Sequence, residues 1–431
     1  MRLLHLRLIS CAALFLTILA DALISAATMT YGEPVRPSRF AEVLTHYERA
    51  GFLNGAVLVA QHGHVVYARG VGEADMTSHT ANTPQTKFDI GSITKQFTAA
   101  LVLQQVEAGR IRLDDPLSTY LPWYRSDTGK QIVIEQLLHH TSGLPPDFDT
   151  PSFNATPTGA TYFEPRAFVE KFCESNLSAA PGSKWQYSNC GYDILGLVLE
   201  SVTGQPYANL LRQKLLDPAG MHDSGLDRNG LVLSNRALGY ERHLGPTYTP
   251  GPYLDLTHVY AAGAMYSTAE DLFRWNEAMS SDAVLSESIR KQIFTPGLNN
   301  WGYGWFVSRI SAGQPGEGSA IAEMRGDMPG NFFCSINRYP EQDVVIIVLR
   351  NGYGSTERLE SNLQAVLFGQ KPRLPWRKPA DVLISGVRSL TRTNQPHVVL
   401  AVIAGSMGLL FLVLHRRRSA TKRIELRRQI V

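Results

Sequence analysis

Residues 87–111 read KFDIGSITKQFTAALVLQQVEAGRI. A short extended segment gives way here to a long helical pattern, and Ser92 and Lys95 sit three apart at the junction. Residues with that spacing share a helix face, so the amine lies within reach of the hydroxyl. A serine hydroxyl is a poor nucleophile until a base takes its proton, which an amine one turn behind it can do or relay. The backbone N–H groups at a helix N-terminus also favour a developing oxyanion. The pattern by itself is common: Ser-x-x-Lys recurs at Ser288–Lys291 and Ser419–Lys422. The plainer reading of Ser92 is a helix cap.

The chain ends say where this serine works. Residues 1–26 have the parts of an export signal: Arg2 and Arg7, an apolar run from Leu8 to Ala20, and small residues near Ala26. That run is too short for a span, which takes roughly 20 apolar residues. Val398–Leu414, VVLAVIAGSMGLLFLVL, holds no charge and is followed by the basic stretch 415–431. It reads as one transmembrane helix, with 371–397 as a basic linker and 415–431 as a cytoplasmic tail. The export signal carries the body across, so the expected location is the cell membrane, single-pass, with the catalytic domain extracytoplasmic.

The net charge of +3 comes from the two ends and the linker, and residues 27–370 are net acidic. Such basicity suits anionic lipid head groups and offers no nucleic-acid surface. Of the four cysteines, Cys11 leaves with the signal. Cys173, Cys190 and Cys334 have no metal-site spacing and read as buried thiols, a Cys173–Cys190 bridge being the lesser alternative.

Within the body, 37–370, GAVLVAQHGHVVYARG at 55–70 reads as a β-hairpin turning at His62-Gly63. His62 and His64 then sit solvated at a turn and are no metal pair. From Ile132 to Met279 helical periodicity is broken by Pro/Gly loops. Strand signals return at YGWFVSRI (303–310), NFFCSINRY (331–339) and DVVIIVLRN (343–351), and STERLESNLQAVLF (355–368) closes as an amphipathic helix. The expected fold is α/β of the α+β type: an antiparallel sheet built from both ends of the body, flanked by helices, with a helical lobe inserted.

The segment KWQYSNCGYDILG (184–196) adds Tyr187, a phenol that can shuttle protons, and Asn189, an amide that can fix a carbonyl. Tyr-x-Asn also recurs, at Tyr207–Asn209. Taken together, FDIGSITKQFTAA, LLHHTSGLP, APGSKWQYSNCGYDILG, AGAMYSTAEDL, WGYGWFV and RYPEQDVVIIVLRN resemble, in order across 45–352, the class C β-lactamase and DD-peptidase family of penicillin-recognising serine hydrolases, which includes many esterases. The resemblance implies a β-lactamase/transpeptidase-like fold with its site between the sheet lobe and the helical lobe. It implies Ser92 as nucleophile, Lys95 lowering the cost of a tyrosinate, Tyr187 as base, and Asn189 holding the substrate carbonyl or amide. The oxyanion would lie between the Ser92 N–H and one near Asp327 on an inner strand. No metal or cofactor is implied.

One element departs from the family. Aligning MPGNFF (328–333) on the family's Pro-Gly-Phe puts Met324, Arg325 and Gly326 where members carry Lys or His, any residue, and Gly. A thioether cannot bind a substrate carboxylate. Arg325 would substitute only through a bulge or another register, because adjacent strand residues face opposite ways. Arg325–Asp327, Arg-Gly-Asp, inside an inner strand is a poor adhesion tripeptide.

Three readings fit. The first is a membrane-anchored serine hydrolase, an esterase or amidase on small acyl substrates. The second is a β-lactamase or DD-peptidase on cell-wall peptides, and the third a catalytically silent binding or sensory ectodomain. The sequence leaves the physiological substrate and the oligomeric state open.

Overall fold

The hairpin forms as expected: Gly55–Gln61 (β1) and His64–Val71 (β2) pair antiparallel about His62 and Gly63, whose φ angles are 51° and 71°. Two left-handed residues in a two-residue loop match the right-handed twist of the strands. His62 is exposed at that turn, its Nδ1 3.0 Å from the Asp343 carboxylate. The computed structural model describes residues 36–146, 162–228, 230–242, 248–252, 255–328, 330–352 and 356–375. The expected export signal (1–26), the transmembrane helix 398–414, the tail and nearly all of the linker lie outside these. Among the described residues no helix is long and apolar enough to cross a membrane.

The late strands are Phe306–Arg309 (β3), Ala320–Met328 (β4), Phe332–Tyr339 (β5) and Val344–Arg350 (β6). With the hairpin they make one six-stranded antiparallel sheet in the order β3-β4-β5-β6-β1-β2. The closure joins the two ends of the body, Gly55 facing Arg350 and Gln61 facing Val344. Period-two alternation divides β6 between two cores. Val344, Ile346 and Val348 meet helix α1 (Pro37–Arg49) and helix α5 (Thr356–Leu367), while Val345, Ile347 and Leu349 face the inserted lobe. A sheet covered on both faces reads as a near-continuous apolar run, as VVIIVLR does.

Between β2 and β3 the chain builds the helical lobe around helix α2 (Thr94–Glu107), in which eleven of fourteen residues are buried. A helix apolar all round belongs in a core. Its buried polar side chains are bonded: Thr98 Oγ1 lies 2.6 Å from Ala261 O, and Gln96 Oε1 accepts from Trp275 Nε1 at 2.9 Å. Helix α3 (Asn189–Thr203) and helix α4 (Ala269–Ala278) pack beside it. The fold is thus a three-layer α/β lobe joined to a helical lobe.

One expectation is corrected. Cys173 and Cys190 are not free thiols but a disulfide, with Cα atoms 5.4 Å apart. The helical turn Val169–Cys173 packs against the start of α3, which brings together residues 17 apart in the sequence. Cys334 is the free, buried thiol.

Candidate active site

Ser92 lies in a single 3₁₀ turn, Gly91–Ile93, that leads into α2. Three anchors hold the turn. Ile90 N donates to Met265 O at 3.0 Å, Thr94 Oγ1 donates to Gly91 O at 2.7 Å, and Met265 N donates back to Thr94 Oγ1 at 3.2 Å. The spacing expected from the sequence is realised: Lys95 Nζ donates to Ser92 Oγ at 3.0 Å.

The Lys95 ammonium also donates to Asn189 Oδ1 at 2.7 Å and to Ala262 O at 2.9 Å. Three acceptors match its three N–H donors, which is how a fully buried cation is tolerated. The faces of Tyr187 and Tyr192 add to this, their centroids 4.8 and 5.6 Å away. Tyr187 reaches the same hydroxyl, its phenol donating to Ser92 Oγ at 2.6 Å. Ser92, Lys95, Tyr187 and Asn189, expected from two distant segments, therefore meet at one oxygen and one ammonium.

The expected oxyanion residues also come to Ser92. Gly91 has φ +52°, and a Cβ there would lie 3.2 Å from Asp327 N. A Cβ on Gly326 would lie 1.8 Å from Ile90 O and 3.1 Å from Ser92 N. Only two glycines let the 90–92 backbone rest against β4 this closely. Strand β3 pairs with β4 only from Ala320 to Glu323, so it stops short of this contact.

Met324 and Arg325 are placed differently from each other. The β4–β5 register runs without a bulge, Met324 facing Ile336 and Arg325 facing Ser335. Met324 is thus 2 % exposed within the inner core. Arg325 is turned to the opposite face, where its guanidinium reaches Glu360 at 3.0 Å and Glu357 at 3.1 Å, both on α5. The structure does not bring Arg325 to Ser92, and the bulge that would have done so is absent. Two of the recurrent motifs are structural: Lys291 pairs with Glu287 at 2.7 Å on an exposed helix, and the Tyr207 hydroxyl is buried 2.7 Å from Thr98 Oγ1; Ser419–Lys422 lies outside the described residues.

Two residues of the neighbourhood were not singled out by sequence. His140 clamps the chain on both sides of Tyr187: its carbonyl accepts from Gln186 N at 2.7 Å and its Nδ1 from Ser188 N at 3.2 Å. Its ring lies 4.4 Å from the Tyr187 ring. Burial, aided by the charge of Lys95, holds the imidazole neutral, well below its usual pKa. The signal was its place in LLHHTSGLP. Asp89, three residues before the nucleophile, shares Arg236 with Asp227, at 2.9 and 2.5 Å. One guanidinium cannot neutralise two buried carboxylates, and burial pushes Asp89 up to about 7. Among the described residues no cluster of His, Cys, Asp and Glu is placed to hold a metal ion.

A three-layer lobe and a helical lobe with a serine, lysine and tyrosine at their junction define the β-lactamase/transpeptidase-like class of protein. The Beta-lactamase family model matches residues 40–371, and the chain belongs to that family. Penicillin-binding protein 4* of Bacillus subtilis is 29% identical over 350 residues, covering 76% of this chain and 75% of its own length. The crystal structure of a penicillin-binding protein from Bacillus halodurans is 26% identical, with a TM-score of 0.65, over 75% of this chain and 99% of its own. The fold is shared too by EstCE1, a hydrolase with promiscuous acyltransferase activity, at 21% identity and a TM-score of 0.66 over 77% of this chain and 98% of that one.

Proposed function

We propose that this protein is a serine hydrolase that works through an acyl-enzyme on Ser92 and acts on small uncharged esters or amides. The observation that carries the reading is the convergence of the Tyr187 phenol and the Lys95 ammonium on Ser92 Oγ, at 2.6 and 3.0 Å. With Tyr187 as phenolate, stabilised by the nearby ammonium, Ser92 gives up its proton along the 2.6 Å line. Its oxygen then bonds the acyl carbon. The oxyanion gathers between the amides of Ser92 and Asp327, and the leaving group departs with the proton returned by Tyr187. Water, activated by the same phenolate, then releases the acid. Asn189 has its Oδ1 on Lys95, so its amide N–H group is the part that serves a substrate carbonyl.

Uncharged substrates are preferred because Met324 offers no charge and Arg325 faces away. The described domain would work outside the cytoplasm, held to the membrane by residues 398–414. The disulfide supports this reading, since such bonds persist in oxidising compartments.

A fluorophosphonate probe applied to the full chain tests the activity. Covalent labelling lost in Ser92→Ala is the expected result. No labelling of the wild type would leave the silent-ectodomain reading in its place.

A further inference from the structure

At the end of β4 remote from Ser92, about 15 Å along the strand from the Gly326 contact, a cleft of about 440 Å³ opens between the sheet and two helices. Met279 ends α4, Phe294 follows the helix Glu287–Ile293, and Val307 and Ala322 face them from β3 and β4. The size falls within the roughly 300–1,000 Å³ of small-molecule sites, which are apolar with a few placed polar groups.

Three cations line this cleft. Arg290 is held by Asp282 at 2.6 Å and Lys291 by Glu287 at 2.7 Å. Arg338 is different. Its Nε donates to Asn276 Oδ1 and its Nη2 to Ser280 Oγ, both at 2.8 Å, and its plane lies 4.9 Å from the Phe294 ring centroid and 5.8 Å from that of Trp305. These partners are neutral, and among the described residues no carboxylate lies within 4 Å of it. Arg325 and Arg236, by contrast, each meet at least two carboxylates. A guanidinium has five N–H donors, and two are used. Burial pushes Arg338 down to about 10 despite the pull of Glu277 and Asp343. Arg338 is half-buried, and a partly desolvated cation is stabilised by a partner of opposite charge.

We infer that the cleft binds one medium-chain fatty-acid anion, its alkyl chain against Met279, Phe294, Val307 and Ala322 and its carboxylate on Arg338. The apolar walls call for a hydrocarbon. Of the three cations, Arg338 alone has no carboxylate within 4 Å among the described residues, which calls for one negative charge, and Arg290 and Lys291, each paired with a carboxylate, leave nothing for the second charge of a phosphate. This site is separate from Ser92 and does not depend on the hydrolytic reading.

Equilibrium dialysis of the full chain against radiolabelled decanoate tests it. The wild type is expected to bind one equivalent saturably, and decanol at least tenfold more weakly. Arg338→Met should weaken decanoate at least tenfold and bring acid and alcohol level. Val307→Trp, which fills the cleft from an edge strand, should abolish binding while its circular dichroism and cooperative thermal unfolding match the wild type, which shows the fold intact. Ser92→Ala should bind decanoate as the wild type does. Equal binding of acid and alcohol by the wild type, full affinity in Arg338→Met or Val307→Trp, no saturable binding, or binding lost in Ser92→Ala would each overturn the inference.

Discussion

Tyr187 donates its phenolic hydrogen to Ser92 Oγ across 2.6 Å, with the Lys95 ammonium 3.0 Å from the same oxygen and 4.8 Å from the Tyr187 ring centroid. The nucleophile is therefore the shared partner of both groups, and neither can act on it without the other. Ser92→Ala, Lys95→Met and Tyr187→Phe should each lower kcat/KM for p-nitrophenyl acetate by about a thousandfold or more. The double variants should lose little beyond the worst single one. Losses that multiply would mean the three act independently.

The contact between Gly326 and Ile90 is backbone against backbone, so no side chain can swing aside. Gly326→Ala should cost about 2 kcal/mol or more of stability. It should also lower turnover about a hundredfold, by pushing the Asp327 amide away from Ser92. Thermal unfolding and ester kinetics on the same sample check both. An active, fully stable Gly326→Ala would refute the oxyanion assignment.

The Cys173–Cys190 bridge closes a 17-residue separation. A loop of that order is worth about 3 kcal/mol through the unfolded state. Cys173→Ser with Cys190→Ser should lower the unfolding free energy by about that amount in urea. Dithiothreitol should do the same to the wild type and nothing to the double variant.

Much of the sheet was legible because its strands are self-declaring: VVIIVLR is apolar on both faces, and His62-Gly63 marks its own turn. That the early hairpin and the late strands share one sheet was legible from their places at the two ends of the body, but that β1 pairs with β6 was not, because strand adjacency is settled by tertiary packing. Tyr187 and Asn189, far along the chain, were assigned to the same site as Ser92 only through the resemblance to the β-lactamase and DD-peptidase family, whereas Ser92 and Lys95 were legible as a pair because residues three apart share a helix face. The disulfide was not, because Phe172–Cys173 and Cys190 belong to elements whose packing depends on the whole helical lobe. Arg338 escaped notice for a related reason. A basic residue in a strand looks solvated until the helices that cover it are in place. The role of His140 is carried partly by its backbone carbonyl, which residue type does not announce.

Asp89 makes stability depend on pH. Its folded-state value, pushed up to about 7 by burial, lies above the unfolded value of about 3.9. The folded state therefore holds the proton more tightly, and this contribution is complete below about pH 4 and is lost as the pH rises through about 7. Asp89→Asn has no such proton to lose. Its stability relative to the wild type should climb between pH 4 and 8 in parallel urea titrations. A difference that stays flat over that range would mean that Arg236 keeps Asp89 ionised.

Arg325 and Met324 are neighbours on β4 with opposite surroundings, and this separates two explanations of substrate choice. If Arg325 served the substrate carboxylate, Arg325→Ala would cut turnover of a cephalosporin sharply. Its guanidinium instead lies between Glu360 and Glu357 on α5. Arg325→Ala should leave both ester and cephalosporin kinetics within about twofold, while lowering stability by about 1–3 kcal/mol because Glu360 is left buried without its cation. Met324→Lys acts on the other face. A lysine there regains a charge-assisted hydrogen bond of about 1.5–3 kcal/mol, roughly ten- to a hundredfold in preference for carboxylate substrates. It must do so from a core position, so part of the gain is offset by desolvation of the ammonium. The ratio of cephalosporin to p-nitrophenyl acetate turnover should rise in Met324→Lys and stay level in Arg325→Ala. The reverse pattern would place the carboxylate handle on Arg325 and make this domain a β-lactam or peptide hydrolase.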